Sequence, residues 1–318
     1  IDTTAPATPT VSAITTPDDD ATPTITITAE AGSTVAVYAN GVELGNATES
    51  STTAGSFSYT SSSALVDGNY SVYATSTDTA GNIAESAAQD IIIDTVDPDL
   101  PTISSASLSN SATPTLTGTA EVGSTVTVVV AGATYETTAT DGNWSIDTSS
   151  TADLDPATTL ALNANGSNTV SVTSTDAAGN TSAAAKQTLT LDTTDATVSA
   201  STDKADGSYT VGEEIDITLT FDESVTLSGS AGLNITLQDG SSATVATLNV
   251  TAAELNGVST VTKTYTVAAG DTAGDLTVSG VALGTSATLQ DDAGNDADLS
   301  SLTATVGTSD AIVIDTTA

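Results

Sequence analysis

Apolar residues alternate with Thr or Ser along most of the chain. In Thr24-Ile25-Thr26-Ile27-Thr28, Thr34-Val35-Ala36-Val37-Tyr38, Thr169-Val170-Ser171-Val172-Thr173 and Ile215-Asp216-Ile217-Thr218-Leu219-Thr220-Phe221 every second side chain is apolar and mostly branched. That is the period of a half-buried strand, not of a helix. Asn40-Gly41, Asp67-Gly68, Asp141-Gly142, Asp206-Gly207 and Asp239-Gly240 punctuate the pattern as turn signals. Short strands at such spacing predict an all-β chain of two-sheet sandwiches, with Trp144 in one core and Phe57 at the equivalent place in another. Toward the C-terminus the expected strands are Asp203 to Phe221, Leu233 to Leu237, Val261 to Val267 and Leu276 to Val278, with a helical turn over Ala252 to Leu255.

The pattern is also repeated on a larger scale. Ile1-Asp2-Thr3-Thr4-Ala5-Pro6 returns as Ile93-Asp94-Thr95-Val96-Asp97-Pro98, then Leu191-Asp192-Thr193-Thr194-Asp195, then Ile314-Asp315-Thr316-Thr317-Ala318. Ala29-Glu30-Ala31-Gly32-Ser33-Thr34-Val35 matches Ala120-Glu121-Val122-Gly123-Ser124-Thr125-Val126, and Thr77-Asp78-Thr79-Ala80-Gly81-Asn82 matches Thr175-Asp176-Ala177-Ala178-Gly179-Asn180, with Asp292-Ala293-Gly294-Asn295 in the last copy. The expected domains are 1–94 and 95–192, each an immunoglobulin-type β-sandwich, and 193–318, a longer divergent one. Starting and ending at the same phase, the sequence is expected to be cut from a longer, elongated array.

Composition narrows the chemistry. Forty acidic residues face three basic ones among 318, a net charge of −37, and there is no His, Cys or Met. Ser-His-Asp catalysis, zinc fingers, haem ligation and disulfides are excluded. Nucleic acid is excluded as a partner, because only Lys186, Lys204 and Lys263 could contact phosphates. No apolar run is long enough to span a bilayer.

In such a sandwich the loops carrying Glu30 or Glu121 and Asp78 or Asp176 lie at the end where the linker Asp2 or Asp94 enters. Asp94, Glu121 and Asp176 are therefore expected to converge, assisted by Asp97 or by Asp18, Asp19 and Asp20, and Asp2, Glu30 and Asp78 form the same set one repeat earlier. Asp192, Asp222, Glu223, Asp291 and Asp292 are the candidates at the second linker. Asp before Gly-Asn is ordinary turn chemistry taken singly. Three acidic motifs repeating in phase, with almost no Lys to neutralise them, point instead to a cation. An all-oxygen set favours Ca²⁺ over zinc or copper.

These phrases resemble the tandem bacterial immunoglobulin-like extender domains of large calcium-dependent adhesins of the repeats-in-toxin class. The resemblance covers residues 1 to 193 well. Residues 194 to 318 resemble a longer variant through Tyr209-Thr210-Val211-Gly212-Glu213 and Phe221-Asp222-Glu223-Ser224-Val225. The second linker departs from the pattern, with Ala196 where the others carry Pro6 and Pro98. The resemblance implies an extracellular, bacterial cell-surface spacer, exported by a type I system, that holds a distal binding domain outward for adhesion or biofilm formation. Calcium would stiffen its linkers, and its partners would be neighbouring domains of the same chain, with host or surface glycans met through other domains. A monomer reaching on the order of 120 Å is expected from three sandwiches with strands of about ten residues.

Two other classes fit the sequence. A ligand-binding module could use the third domain to grip a glycan or peptide. An enzyme could use Asp222-Glu223 or Asp291-Asp292 as an acid pair, but no aromatic sugar platform accompanies them, and no catalytic role is expected. Lys204 is expected to be solvated, and Tyr38, Tyr59, Tyr70 and Tyr73 to pack or cover sheet faces.

Overall fold

The computed structural model describes residues 1–151, 153–304, 306 and 311–317, and every helix or strand among them is a strand. Ala318, from the closing linker phrase, lies outside the described residues. The chain divides into two compact units. One comprises residues 1–105, 115–161 and 169–187, and the other 106–114, 162–168 and 188–318.

The first unit begins with β1 (Thr10–Val11), β2 (Thr24–Thr28), β3 (Thr34–Ala39), β4 (Val42–Asn46), β5 (Thr48–Glu49), β6 (Ser56–Thr60), β7 (Gly68–Thr77), β8 (Ile83–Glu85) and β9 (Gln89–Ile93). They form two sheets, β1-β2-β6-β5 and β4-β3-β7-β8, with β9 also on β7. Ile25, Ile27, Phe57 and Tyr59 from one sheet meet Val35, Val37, Val72, Ala74, Ile91 and Ile93 from the other in one buried cluster. The apolar half of each alternation thus faces inward and the Thr/Ser half faces water, which is a sandwich. Asn40 and Gly41, at φ 49° and 79°, make the two-residue turn between β3 and β4.

β10 (Leu108–Ser109), β11 (Thr115–Thr119), β12 (Thr125–Val130), β13 (Ala133–Thr138), β14 (Asn143–Asp147), β15 (Gly166–Thr175) and β16 (Ala185–Leu191) follow. In the first unit β11 pairs with β14, and β12 pairs with β13 and β15. Leu116, Trp144 and Ile146 are buried on one side, and Val126, Val128, Tyr135 and Val172 on the other. Phe57 lies opposite Ile27, and Trp144 lies opposite Gly118. The volumes compensate, because a Cβ on Gly118 would come within 2.6 Å of the indole. Trp144 Nε1 donates to the Thr102 carbonyl at 3.2 Å, satisfying the one polar atom that this core choice buries.

In the second unit β10 runs parallel to the end of β16, Leu108 opposite Thr190. Then come β17 (Thr197–Thr202), β18 (Gly207–Tyr209), β19 (Glu214–Ser228), β20 (Leu233–Gln238), β21 (Thr244–Val250), β22 (Asn256–Thr266), β23 (Thr272–Ala273), β24 (Thr277–Leu283), β25 (Thr288–Asp291), β26 (Asp298–Ala304) and β27 (Ile312–Asp315). The sheet β22-β19-β17-β26, with β25 on β19, and the three-stranded sheets β21-β20-β24 and β18-β27-β23 enclose one core that includes Ile217, Leu219, Phe221, Ile235 and Leu276. β19 pairs with β22 as far as Thr220, loses register, and resumes at Val225. This bulge re-aims Asp222 and Glu223.

Two local expectations are corrected. Asp203 to Phe221 is not one strand, because Lys204 to Asp206 and Thr210 to Glu213 interrupt it. Ala252 to Leu255 is a turn without helix: Glu254 reaches back to accept from the Thr251 N–H and hydroxyl, at 2.8 and 2.9 Å, and takes Lys263 Nζ on its other oxygen.

Candidate functional site

The Asp-to-Asn loop has one construction in all three places. The Asp176 carboxylate accepts the N–H groups of Ala178, Gly179 and Asn180 on Oδ1, at 2.8, 2.8 and 2.9 Å, and Asn180 Nδ2 at 2.8 Å on Oδ2. Asp78 is held likewise by Ala80 and Asn82, and Asp291 by Gly294 and Asn295. Gly81, Gly179 and Gly294 have φ of 91°, 111° and 95°, a region that disfavours any Cβ. The Asn82 side-chain bond holds the Asp78 carboxyl below the usual carboxylate range. At Asp176 burial pushes upward, but the bonds from Asn180 and the loop N–H groups outweigh it and the group is again lowered.

The linker residues are held as specifically. Asp2, Asp94 and Asp192 each turn Oδ1 back to the N–H two residues on, at 2.9, 3.2 and 3.1 Å, leaving Oδ2 free of that turn. The Asp carbonyls accept Nδ2 of Asn82, Asn180 and Asn295 at 3.3, 2.8 and 2.9 Å. The Glu30 and Glu121 carbonyls accept the hydroxyls of Ser33 and Ser124, so that the Ala-Glu-x-Gly-Ser phrase is a tight turn.

The predicted acidic sets assemble to different degrees. Asp2, Glu30 and Asp78 line one cavity of about 450 Å³. Asp94, Glu121 and Asp176 do not bring three carboxylate oxygens within 4.8 Å of one another; Asp192, Glu223 and Asp291 do. Beside Asp176, the Asp19 carboxylate lies against Gly179, where a Cβ would come within 3.3 Å of its oxygen. Asp18 is tied to the linker: its N–H donates to Ile92 and its carbonyl accepts the Asp94 N–H at 3.0 Å. Asp222 is turned to the Thr197 N–H and hydroxyl, both at 2.7 Å, and Asp292 is exposed. Glu223 is raised above the usual carboxylate range, first by burial and then by the charges of Asp192, Asp291, Asp222 and Asp292. Three carboxylates in a half-buried setting, with no nitrogen or sulfur donor, suit a hard cation.

A family model for the bacterial Ig-like domain matches residues 12–95 and again 102–193. The chain belongs to this family. No curated protein matches the sequence. Among solved structures, the fibronectin(III)-like modules of Clostridium thermocellum CbhA are 14% identical, with 57% of this chain and 93% of that one covered and a TM-score of 0.38. Dimeric latent PorU from Porphyromonas gingivalis is 12% identical, with 92% of this chain and 31% of that one covered and a TM-score of 0.23. The two matched Ig-like stretches each carry the Asp-to-Asn loop, and the same loop recurs at Asp291, beyond the match.

Elsewhere, the tyrosines pack against the Ig-like sheets. Tyr38 stacks on Tyr73 with centroids 5.0 Å apart, and the hydroxyls of Tyr59 and Tyr70 donate to the Leu44 and Val66 carbonyls. Lys204 pairs with Asp203 at 3.1 Å instead of being merely solvated. No helix among the described residues is long and apolar enough to cross a membrane.

Proposed function

We propose that the chain is a structural extender of a large bacterial cell-surface adhesin, outside the cell, whose linkers are stiffened by Ca²⁺ and whose partners are neighbouring Ig-like domains of the same chain. The observation that carries the reading is the triple Asp192, Glu223 and Asp291, whose oxygens lie within 4.8 Å of one another. Like charges this close repel unless a cation compensates. Asp192, Glu223 and Asp291 would hold calcium at the second linker, and Asp94 and Asp176, with Asp19 and Glu121, at the first. Bound calcium supplies positive charge and six to eight coordination positions for oxygen. The chain supplies the carboxylates, one from the linker, one from the loop that precedes the last strands, and one from the bulge in β19.

Mechanically, a chain of net charge −37 repels itself, and its linkers are where bending is easiest. Neutralising each linker favours one angle over many. Binding at about 100 times the dissociation constant adds roughly 2.7 kcal/mol per site, a large share of ordinary domain stability. Tandem Ig-like domains are typically non-catalytic, and a spacer needs no reactive group.

Small-angle scattering of the 318-residue chain tests the proposal. Calcium is expected to lengthen the particle and raise its melting temperature, and chelator to reverse both. Identical dimensions and melting in calcium and chelator would overturn it.

A further inference from the structure

The linker dipeptides are gripped from two sides by protein atoms alone. On one side the Asp94 carbonyl accepts Asn180 Nδ2 at 2.8 Å, across 86 residues of sequence, and the Asp192 carbonyl accepts Asn295 Nδ2 at 2.9 Å, across 103 residues. On the other, a single oxygen of Asp67 accepts both the N–H and the hydroxyl of Thr95, at 3.0 and 2.9 Å. Asn165 Oδ1 does the same for Thr193, at 2.8 and 2.9 Å. These are not turn bonds, since the Thr pairs are 28 residues apart in sequence. The acceptor is a carboxylate at one linker and an amide at the other, so the contact requires an oxygen, not a charge.

We propose that each Asp–Thr dipeptide is seated in a two-sided recognition site. An Asn amide of the following loop grips the Asp carbonyl, an Asp or Asn side chain of the preceding loop grips the Thr, and the seat stiffens the linker whether or not a cation is bound. The inference rests on the extender reading for its purpose but not on calcium. The Asp carbonyl and the Thr N–H belong to one trans peptide group and so point in opposite directions, and the Asp side chain fixes the turn that follows through the Val96 or Thr194 N–H. The Asn that receives the carbonyl is itself immobilised, because the same Nδ2 also donates to the loop Asp. Both partners are ordered before they meet, so seating costs little further entropy. The seat also selects its occupant: Thr is needed for its second donor, and Asp for its turn.

The site can be tested on the full chain, which contains no Cys, by placing one spin label on each side of the first linker through Ser58→Cys and Ser145→Cys, both exposed. Distance distributions are then recorded in chelator. In the parent the distribution in chelator should be narrower than in the variants that lose a grip, and calcium should narrow it further. Asn180→Ala removes the grip on Asp94 and should raise the population of opened linkers about fivefold, the equivalent of one net hydrogen bond. Asp67→Ala removes the grip on Thr95 without touching the Asp176 loop and should act likewise, while Asn295→Ala leaves this pair of labels unaffected. If Asn180→Ala fails to fold, Asp67→Ala decides. A folded Asn180→Ala or Asp67→Ala variant with the parent's distribution in chelator overturns the proposal. A parent distribution unchanged on adding calcium would instead sink the metal reading and leave the seat standing.

Discussion

Replacing Glu223 by Gln should stabilise the chain in chelator and abolish most of what calcium adds at the second linker. Glu223 sits with Asp192 and Asp291, all three oxygens within 4.8 Å. At that separation each pair of unit charges costs about 3.5 kcal/mol at an effective dielectric of 20 and about 0.9 kcal/mol in water. Glu223 and Asp192 are only half-buried, which places the real value nearer the lower figure. Two pairs relieved then give about 2 kcal/mol, or a rise of several degrees in Tm for a cooperative unit of roughly this size. Gln keeps the volume and loses the charge.

The pH dependence carries the same sign. Burial, and then the neighbouring carboxylates, raise Glu223 above its ordinary range. For an acid raised in the fold, the penalty is absent below the unfolded value near 4.3, grows as pH climbs from there to the folded value, and is constant above it. In chelator the parent's second unit should therefore gain stability as pH is lowered from the folded value of Glu223 toward the unfolded value near 4.3, and Glu223→Gln should flatten that slope. In saturating calcium the order reverses, the parent gaining about 2.7 kcal/mol at 100 times its dissociation constant and the variant far less. Calorimetry of both proteins, with and without calcium, gives all four values. A variant that melts at or below the parent in chelator and gains as much from calcium would refute the reasoning.

Acid should have the opposite effect through other groups. Asp78, lowered by its Asn82 bond, and Asp222, lowered by the Thr197 hydroxyl and N–H, contribute stability that is present above the unfolded value near 3.9 and lost as pH falls through their folded values. Melting temperature against pH in chelator should thus turn over near pH 4, and a monotonic rise into acid would contradict these bonds. Gly118→Ala should cost about 3 kcal/mol or more, because its Cβ would meet the Thr102 carbonyl and come 2.6 Å from the Trp144 ring. Trp144 is the single tryptophan, so its fluorescence reports the displacement directly, and unchanged emission with unchanged Tm would refute the packing account.

Much of the fold was legible because alternation is a local signal with one consequence. Ile25 and Ile27, and Val35 and Val37, turn inward as their spacing requires. Turn signals were less uniform. Asn40-Gly41 and Asp141-Gly142 adopt the left-handed pair their residues favour, whereas Gly68 and Gly207, at φ 149° and 157°, open strands. Ala131-Gly132, at φ 47° and 87°, turns between β12 and β13 without the Asn or Asp that marks the turns at Gly41 and Gly142. There the ladder from Val130 to Ala133 overrides the cost of about 1 to 2 kcal/mol of a left-handed Ala. The bulge in β19 could not be read from alternation, because β17 and β25 claim successive parts of the strand while β22 pairs with both halves across the break. The roles of Asn82, Asn180 and Asn295 were also hidden. An Asn after Gly reads as a turn residue, and nothing local says that its amide reaches a carbonyl up to 103 residues away.

The two inner linkers show how a fixed backbone plan can carry different charges. Asp18-Asp19-Asp20 and Ser109-Asn110-Ser111 occupy equivalent positions: the Asp94 N–H donates to the Asp18 carbonyl and the Asp192 N–H to the Ser109 carbonyl, each at 3.0 Å. The side chains copy one another too, Asp18 Oδ1 taking the Asp20 N–H and Ser109 Oγ the Ser111 N–H. At the tip the copies part. The Asp19 carboxylate approaches Gly179 in the first, and the Asn110 amide approaches Gly294 in the second. The carboxylate that joins Asp192 and Asp291 at the second linker is Glu223, which follows the first half of β19 as Glu121 follows β11. The backbone plan is thus shared while the tip charge is not, and the like charges that remain at the second linker, Asp192, Glu223 and Asp291, are the ones that the proposed counterion would have to neutralise.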